Sequence, residues 1–242
     1  MFAGPNGSGK STLFRNILPE PLRGVYLNPD EIERDIRQAG YLDFAAYGVP
    51  RGGEAILDYV RNSSFLQSAG VTTEGLRFAE GRLHFAPTMV NSYLASVVAD
   101  FIRHALLEFK SSFTFETVMS SPDKVDFLAK AQALGCRTYL YYVATDDPII
   151  NESRVEGRVA NGGHPVPKEK ISARYYRSLM LLPAAIRASH RAYIFDNSGE
   201  KGDHTWLAEI TDGRNVELKT NLMPAWFKEA VLDAPGVTPL PE

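Results

Sequence analysis

Almost at its first residue the chain reads Gly4-Pro5-Asn6-Gly7-Ser8-Gly9-Lys10-Ser11-Thr12. Glycine, four residues, Gly-Lys and a hydroxyl residue is the P-loop pattern, and its spacing has a physical basis. Glycines let the backbone turn tightly with its N–H groups inward, as a nest for phosphate oxygens. Lys10 sets a mobile positive charge over the outer phosphates, and Ser11 offers a hydroxyl to Mg²⁺. A helix opening near Lys10 turns the positive end of its dipole toward the same anion. Gly4 to Thr12 is therefore the expected ATP-binding segment, with ATP and Mg²⁺ as cofactors and Ser11 as the metal contact. The buried strand that should precede such a loop can use only Met1-Phe2-Ala3.

Further along, short apolar runs alternate with helical periodicities. Gly24 to Asn28, Ser112 to Thr117, Arg137 to Ala144 and Ala192 to Asp196 read as strands, and Asn215 to Lys219 as an edge strand. Asn28 and Pro29 supply a cap and a first-turn proline for a helix that carries Asp30. Further helices are expected near Ala55–Phe65, Thr88–Phe109, Pro122–Leu134, Pro148–Ala160 and Pro167–Ser189, the last kinked at Pro183, and over Pro224–Leu232. This alternation predicts an α/β fold of the P-loop hydrolase and kinase type, with a mostly parallel sheet of about five strands flanked by helices. The expected organisation is one domain over 1–234 with a largely helical insertion at 41–109. A lid is expected at about 148–170, and a disordered tail at 235–242.

Composition narrows the function classes. Among 242 residues, 44% are hydrophobic and 23% charged, as in ordinary globular proteins. A net charge of -3 gives no footprint for nucleic acid, so none is expected as a partner. The single cysteine, Cys136, forbids an intramolecular disulfide and suits a reducing compartment. No apolar run reaches the ~18 residues of a membrane span, and no signal peptide precedes the loop. The expectation is a cytoplasmic protein without a membrane partner.

Three kinds of P-loop protein compete. A transport-type ATPase would carry Leu-Ser-Gly-Gly-Gln and an apolar strand ending Asp-Glu; the first is absent, and Asn197 follows Asp196. A GTPase would carry Asn-Lys-x-Asp, also absent. A small-molecule kinase needs a carboxylate to take the acceptor's proton and cations over the transferred group. Asp30 and Glu116, each read as closing a strand next to that of the loop, are the candidate acids. Arg154 and Arg158, four apart between glycines, are the candidate lid arginines. Each also has a plain reading: Asp30 as a helix cap, Glu116 with Thr117 as holding a loop, and the arginines as a solvated helix face. The aromatics of the insertion, among them Tyr41, Phe44, Phe65, Phe78, Phe85 and Tyr93, fit either an acceptor pocket or a core.

Taken in order, Gly4 to Thr12, Asn28-Pro29-Asp30-Glu31, Phe113 to Thr117, Arg154 to Val159, Gly162 to Pro167, Arg174-Tyr175 and Phe195 to Ser198 resemble the zeta-toxin family of P-loop kinases, in particular a chromosomal bacterial branch known as predicted ATPases. The resemblance implies ATP-dependent phosphorylation of a hydroxyl on a nucleotide-sugar-like acceptor, UDP-N-acetylglucosamine in the toxins, and an antitoxin protein as partner. It implies catalytic roles for Lys10, Asp30, Arg154 and Arg158, with Asp30 as proton acceptor. Glu116 and Thr117 fall on the substrate side, together with Arg174 and His164. His164 stands where the toxins carry a second lid arginine. The other class left open is an ATP-binding regulatory module with no small-molecule acceptor.

Overall fold

The computed structural model describes all residues except 50, 51, 87–89, 162, 164, 200–202, 236, 237 and 240–242. In chain order the elements begin with β1 (Phe2–Ala3), α1 (Lys10–Ile17), α2 (Glu20–Arg23), β2 (Val25–Leu27), α3 (Pro29–Ala39) and β3 (Tyr41–Asp43). There follow α4 (Glu54–Arg61), α5 (Ser64–Ser68), β4 (Arg77–Ala79), β5 (Arg82–His84), α6 (Ser92–Glu108), β6 (Phe113–Thr117) and α7 (Asp123–Ala133). The rest is β7 (Tyr139–Ala144), α8 (Pro148–Ala160), α9 (Lys168–Arg187), β8 (Arg191–Asp196), β9 (Thr205–Thr211), β10 (Asn215–Leu218), α10 (Ala225–Phe227) and β11 (Thr238–Pro239).

These elements form two compact units, residues 1–19 with 116–242 and residues 20–115. In the first, the described residues form a seven-stranded sheet in the order β11-β10-β9-β8-β7-β1-β6. β1 has only two residues, yet it pairs in parallel on both sides, Phe2 opposite Glu116 of β6 and opposite Tyr141 of β7. Phe2 and Ala3 are fully buried, as a central strand of a parallel sheet requires. Tyr142 on β7 is fully buried and hydrogen bonds to Ser178 of α9. Helix α9 runs unbroken through Pro183.

The expected five strands become seven, and not all are parallel: β9 pairs antiparallel with both β8 and β10. The turn between β9 and β10 contains Asp212-Gly213 at φ 53° and 70°. Positive φ at both positions is what an Asp-Gly pair supplies to a hairpin. Thr205 to Thr211, overlooked as a strand, is its first arm.

In the second unit, β2 pairs in parallel with residues 113–115 of β6, and α3 packs against α6. Asn28 caps α3 with Pro29 at its start, as its sequence predicts. The run Leu76 to Phe85 folds as a hairpin, β4–β5, extended by β3. Phe44 is fully buried and belongs to the core, with half-buried Phe78 and Phe101 edge-on to it. Phe65 and Tyr93 instead pair on the surface.

Candidate functional site

The glycine loop joins β1 to α1, at the carboxyl end of a strand with neighbours on both sides, the edge where open α/β sheets take ligands. Gly9 caps α1 at φ 98°, a left-handed conformation that glycine adopts without strain. Lys10 Nζ donates to the carbonyls of Gly4 at 2.8 Å and Pro5 at 2.9 Å, folding its charge back over the loop. Ser8 is fully buried, whereas Thr12 faces outward from α1.

Ser11 Oγ donates to Glu116 Oε2 at 2.8 Å, and Glu116 is buried at the end of β6. Thr117, next along, uses its Oγ1 to accept the N–H of Met119 at 3.0 Å and so shapes its own turn. The neighbours of β1 are β6 and β7, so of the two acids only Glu116 closes a strand adjacent to that of the loop. Asp30 lies exposed in the first turn of α3, after a strand whose partner is β6, and its N–H donates to Asn28 Oδ1.

Arg154 is tethered rather than presented. One Nη donates to the carbonyl of Asn197 at 2.7 Å and the other to that of Gly199 at 3.0 Å. Partial burial lowers its pKa, and Asp196 opposes that shift. Arg158 is exposed one turn further along α8, and its carbonyl accepts the N–H of Gly163. Arg174 is half-buried on α9. His164 lies outside the described residues.

Three side chains that sequence reasoning missed touch the loop directly. Asn151 Nδ2 donates to the carbonyl of Asn6 at 2.6 Å, and Asn197 Nδ2 to that of Ser8 at 2.8 Å. His204 Nε2 meets the carbonyl of Gly9 at 3.3 Å, so that nitrogen carries the proton. Asn197 was legible only as part of Phe195-Asp196-Asn197-Ser198. Asn151 lies in α8 just ahead of the Arg154–Val159 stretch and belongs to no motif itself, and His204 precedes the overlooked strand. All three belong to the unit that carries the loop.

No family model matches the chain, and no curated protein matches it. Two crystal structures of the AvrRxo1-ORF1:AvrRxo1-ORF2 complex each contain a chain of similar fold. The one with ATP superposes with a TM-score of 0.52 at 15% identity over 90% of this chain. The one with sulphate ions gives 0.50 at 14% identity over 91%. This chain spans 60% of the length of each. Among the described residues no helix is long and apolar enough to cross a membrane. At that identity the likeness is one of fold alone: a mostly parallel α/β sheet with flanking helices.

Proposed function

We propose that this protein is an ATP-dependent phosphotransferase that moves the γ-phosphoryl group of ATP to a hydroxyl of a small, nucleotide-sugar-like acceptor, as the resemblance to zeta-toxin kinases implies. The observation that carries the reading is the hydrogen bond from Ser11 to Glu116 beside the glycine loop. A nest of N–H groups, a lysine, a hydroxyl and a buried carboxylate together match a nucleoside triphosphate with its cation. The hydroxyl and the carboxylate are hard oxygen donors of the kind Mg²⁺ takes, so Ser11 and Glu116 would hold it. When bound, Mg²⁺ would offset charge on the phosphate oxygens.

In this reading Lys10 leaves the Gly4 and Pro5 carbonyls to meet the phosphates. Glu116 serves the cation side, which leaves Asp30 as the acceptor's base. Arg158 supplies charge from the lid side, with Arg174, Thr117 and His164 toward the acceptor. A cleft of about 410 Å³ beside α1, lined in part by Leu13, Phe195, His204 and Thr205, is where we seat the nucleoside. The AvrRxo1-ORF1:AvrRxo1-ORF2 complex favours a protein partner for this chain as well.

The tether on Arg154 favours a second reading, an ATP-hydrolysing module without an acceptor, because it holds a predicted lid arginine on backbone carbonyls. One experiment separates the two. Labelled ATP is incubated with a metabolite extract, with Lys10→Ala as the blank. Label in a new compound supports the kinase; label only in inorganic phosphate sinks it.

A further inference from the structure

The loop is gripped from outside by side chains that have no part in its sequence pattern. Asn151, Asn197 and His204 take the carbonyls of Asn6, Ser8 and Gly9 in turn. The first two are themselves locked: the Thr145 hydroxyl donates to Asn151 Oδ1, and the Asn197 N–H donates to the Ala144 carbonyl at 2.8 Å. Asn151 is fully buried and Asn197 nearly so. The loop's glycines make room for this grip. A Cβ on Gly7 would sit 2.6 Å from the Asn151 carbonyl oxygen. One on Gly9 would sit 2.3 Å from Asn197 Nδ2 and 2.9 Å from His204 Nε2.

A trans peptide unit is planar, with its C=O and N–H pointing opposite ways. Holding the Asn6 and Ser8 carbonyls outward therefore turns the N–H groups of Gly7 and Gly9 inward, and His204 adds to the orientation of the Gly9 carbonyl, which also accepts the Leu13 N–H of α1 at 2.9 Å and so turns the Lys10 N–H inward. We infer that Asn151, Asn197 and His204 are positioning residues, a clamp that sets the phosphate nest before any ligand arrives. The inference rests on the ATP reading above. Lys10 belongs to a different class of contact, because its bonds to Gly4 and Pro5 must break when its charge moves to a phosphate. The three clamp bonds engage carbonyl oxygens rather than the N–H groups that would meet an anion, so binding does not require them to break. A nest already formed spares the nucleotide the cost of ordering it.

The test uses the whole chain and two ligands, ATP and inorganic tripolyphosphate, which shares only the phosphate contacts. Dissociation constants are measured by calorimetry and Tm by thermal melting for Asn151→Ala, Asn197→Ala and His204→Ala. One neutral hydrogen bond corresponds to a factor of about two to ten. Asn151→Ala and Asn197→Ala are each expected to lose that much affinity for both ligands alike, with KM for ATP raised and kcat at saturation nearly unchanged, whereas His204→Ala, at a residue that also lines the nucleoside cleft, should lose at least that much for tripolyphosphate and more for ATP. His204→Gln, which can place an N–H where Nε2 stood, should recover most of the loss. Asn197→Asp keeps the shape but sets a carboxylate against the Ser8 carbonyl, so it should bind more weakly than wild type and stays measurable if the alanine variant does not fold. Variants with lowered Tm but unchanged affinity for both ligands would overturn the clamp alone. Wild-type protein that binds neither ligand would overturn the kinase reading and the clamp with it.

Discussion

Ser11 Oγ lies 2.8 Å from Glu116 Oε2, a bond across 105 residues of sequence between the glycine loop and the end of the neighbouring strand. It joins a hydroxyl and a carboxylate that separate motifs supply. If the pair serves Mg²⁺, Glu116→Gln keeps the shape and a hydrogen bond to Ser11 but loses the charge. The Mg²⁺ concentration for half-maximal rate should then rise about 10- to 100-fold, the scale for disturbed metal surroundings. A Mg²⁺ titration of the rate that superposes on wild type would return Glu116 to the substrate side.

Asp30 should matter to chemistry more than to nucleotide affinity. A positioned base typically contributes about 10²–10⁴ in rate. Asp30→Asn is expected to lose turnover on that scale while its ATP dissociation constant stays within twofold. A loss below tenfold in kcat would remove Asp30 from the base role.

Arg154 and Arg158 should respond differently to lysine. Both Nη atoms of Arg154 hold carbonyls, of Asn197 and Gly199, and one ammonium cannot reproduce that fork. Arg154→Lys is expected to lower Tm and to weaken ATP binding through Asn197. Arg158→Lys should lower kcat and leave Tm unchanged. The four-residue spacing placed both arginines on one helix, but only packing shows that the first already has partners. Matching losses of kcat at unchanged Tm in both variants would mean that the tether of Arg154 opens during turnover.

Tyrosine ionisation should limit stability at high pH. Tyr141 is pushed up to about 12, chiefly by burial and then by Tyr193. Tyr47 reaches about 12 by burial, with Asp35 and Glu31 adding to it. Fully buried Tyr142 moves up as well, again by burial. Because these groups keep their protons longer when folded, the unfolded chain ionises first, from pH ~10. Stability should fall as pH rises from about 10 toward 12. Absorbance at 295 nm should show these tyrosines titrating together with loss of fold; early titration with the fold intact would contradict their burial.

The sequence alone determined what depends on neighbours along the chain. The glycines and lysine of the loop, the Asn28 cap with Pro29, and the β-branched and aromatic run of β7 act through local backbone conformation, and each stands where its residues predict. Asp212-Gly213 carried an equally local hairpin signal, and reading it would have given β9 and the antiparallel edge. What only the tertiary structure decided are pairings that depend on which strands meet. Glu116 lies against Ser11 because β6, not β2, is a neighbour of β1. Arg154 is held because α8 passes the end of β8, and Asn151, Asn197 and His204 reach the loop from three separate segments. A hydrogen bond spanning 145 or 189 residues, as between Asn151 and Asn6 or Asn197 and Ser8, leaves no period or spacing to read. Its geometry exists only once the sheet has set the two ends side by side.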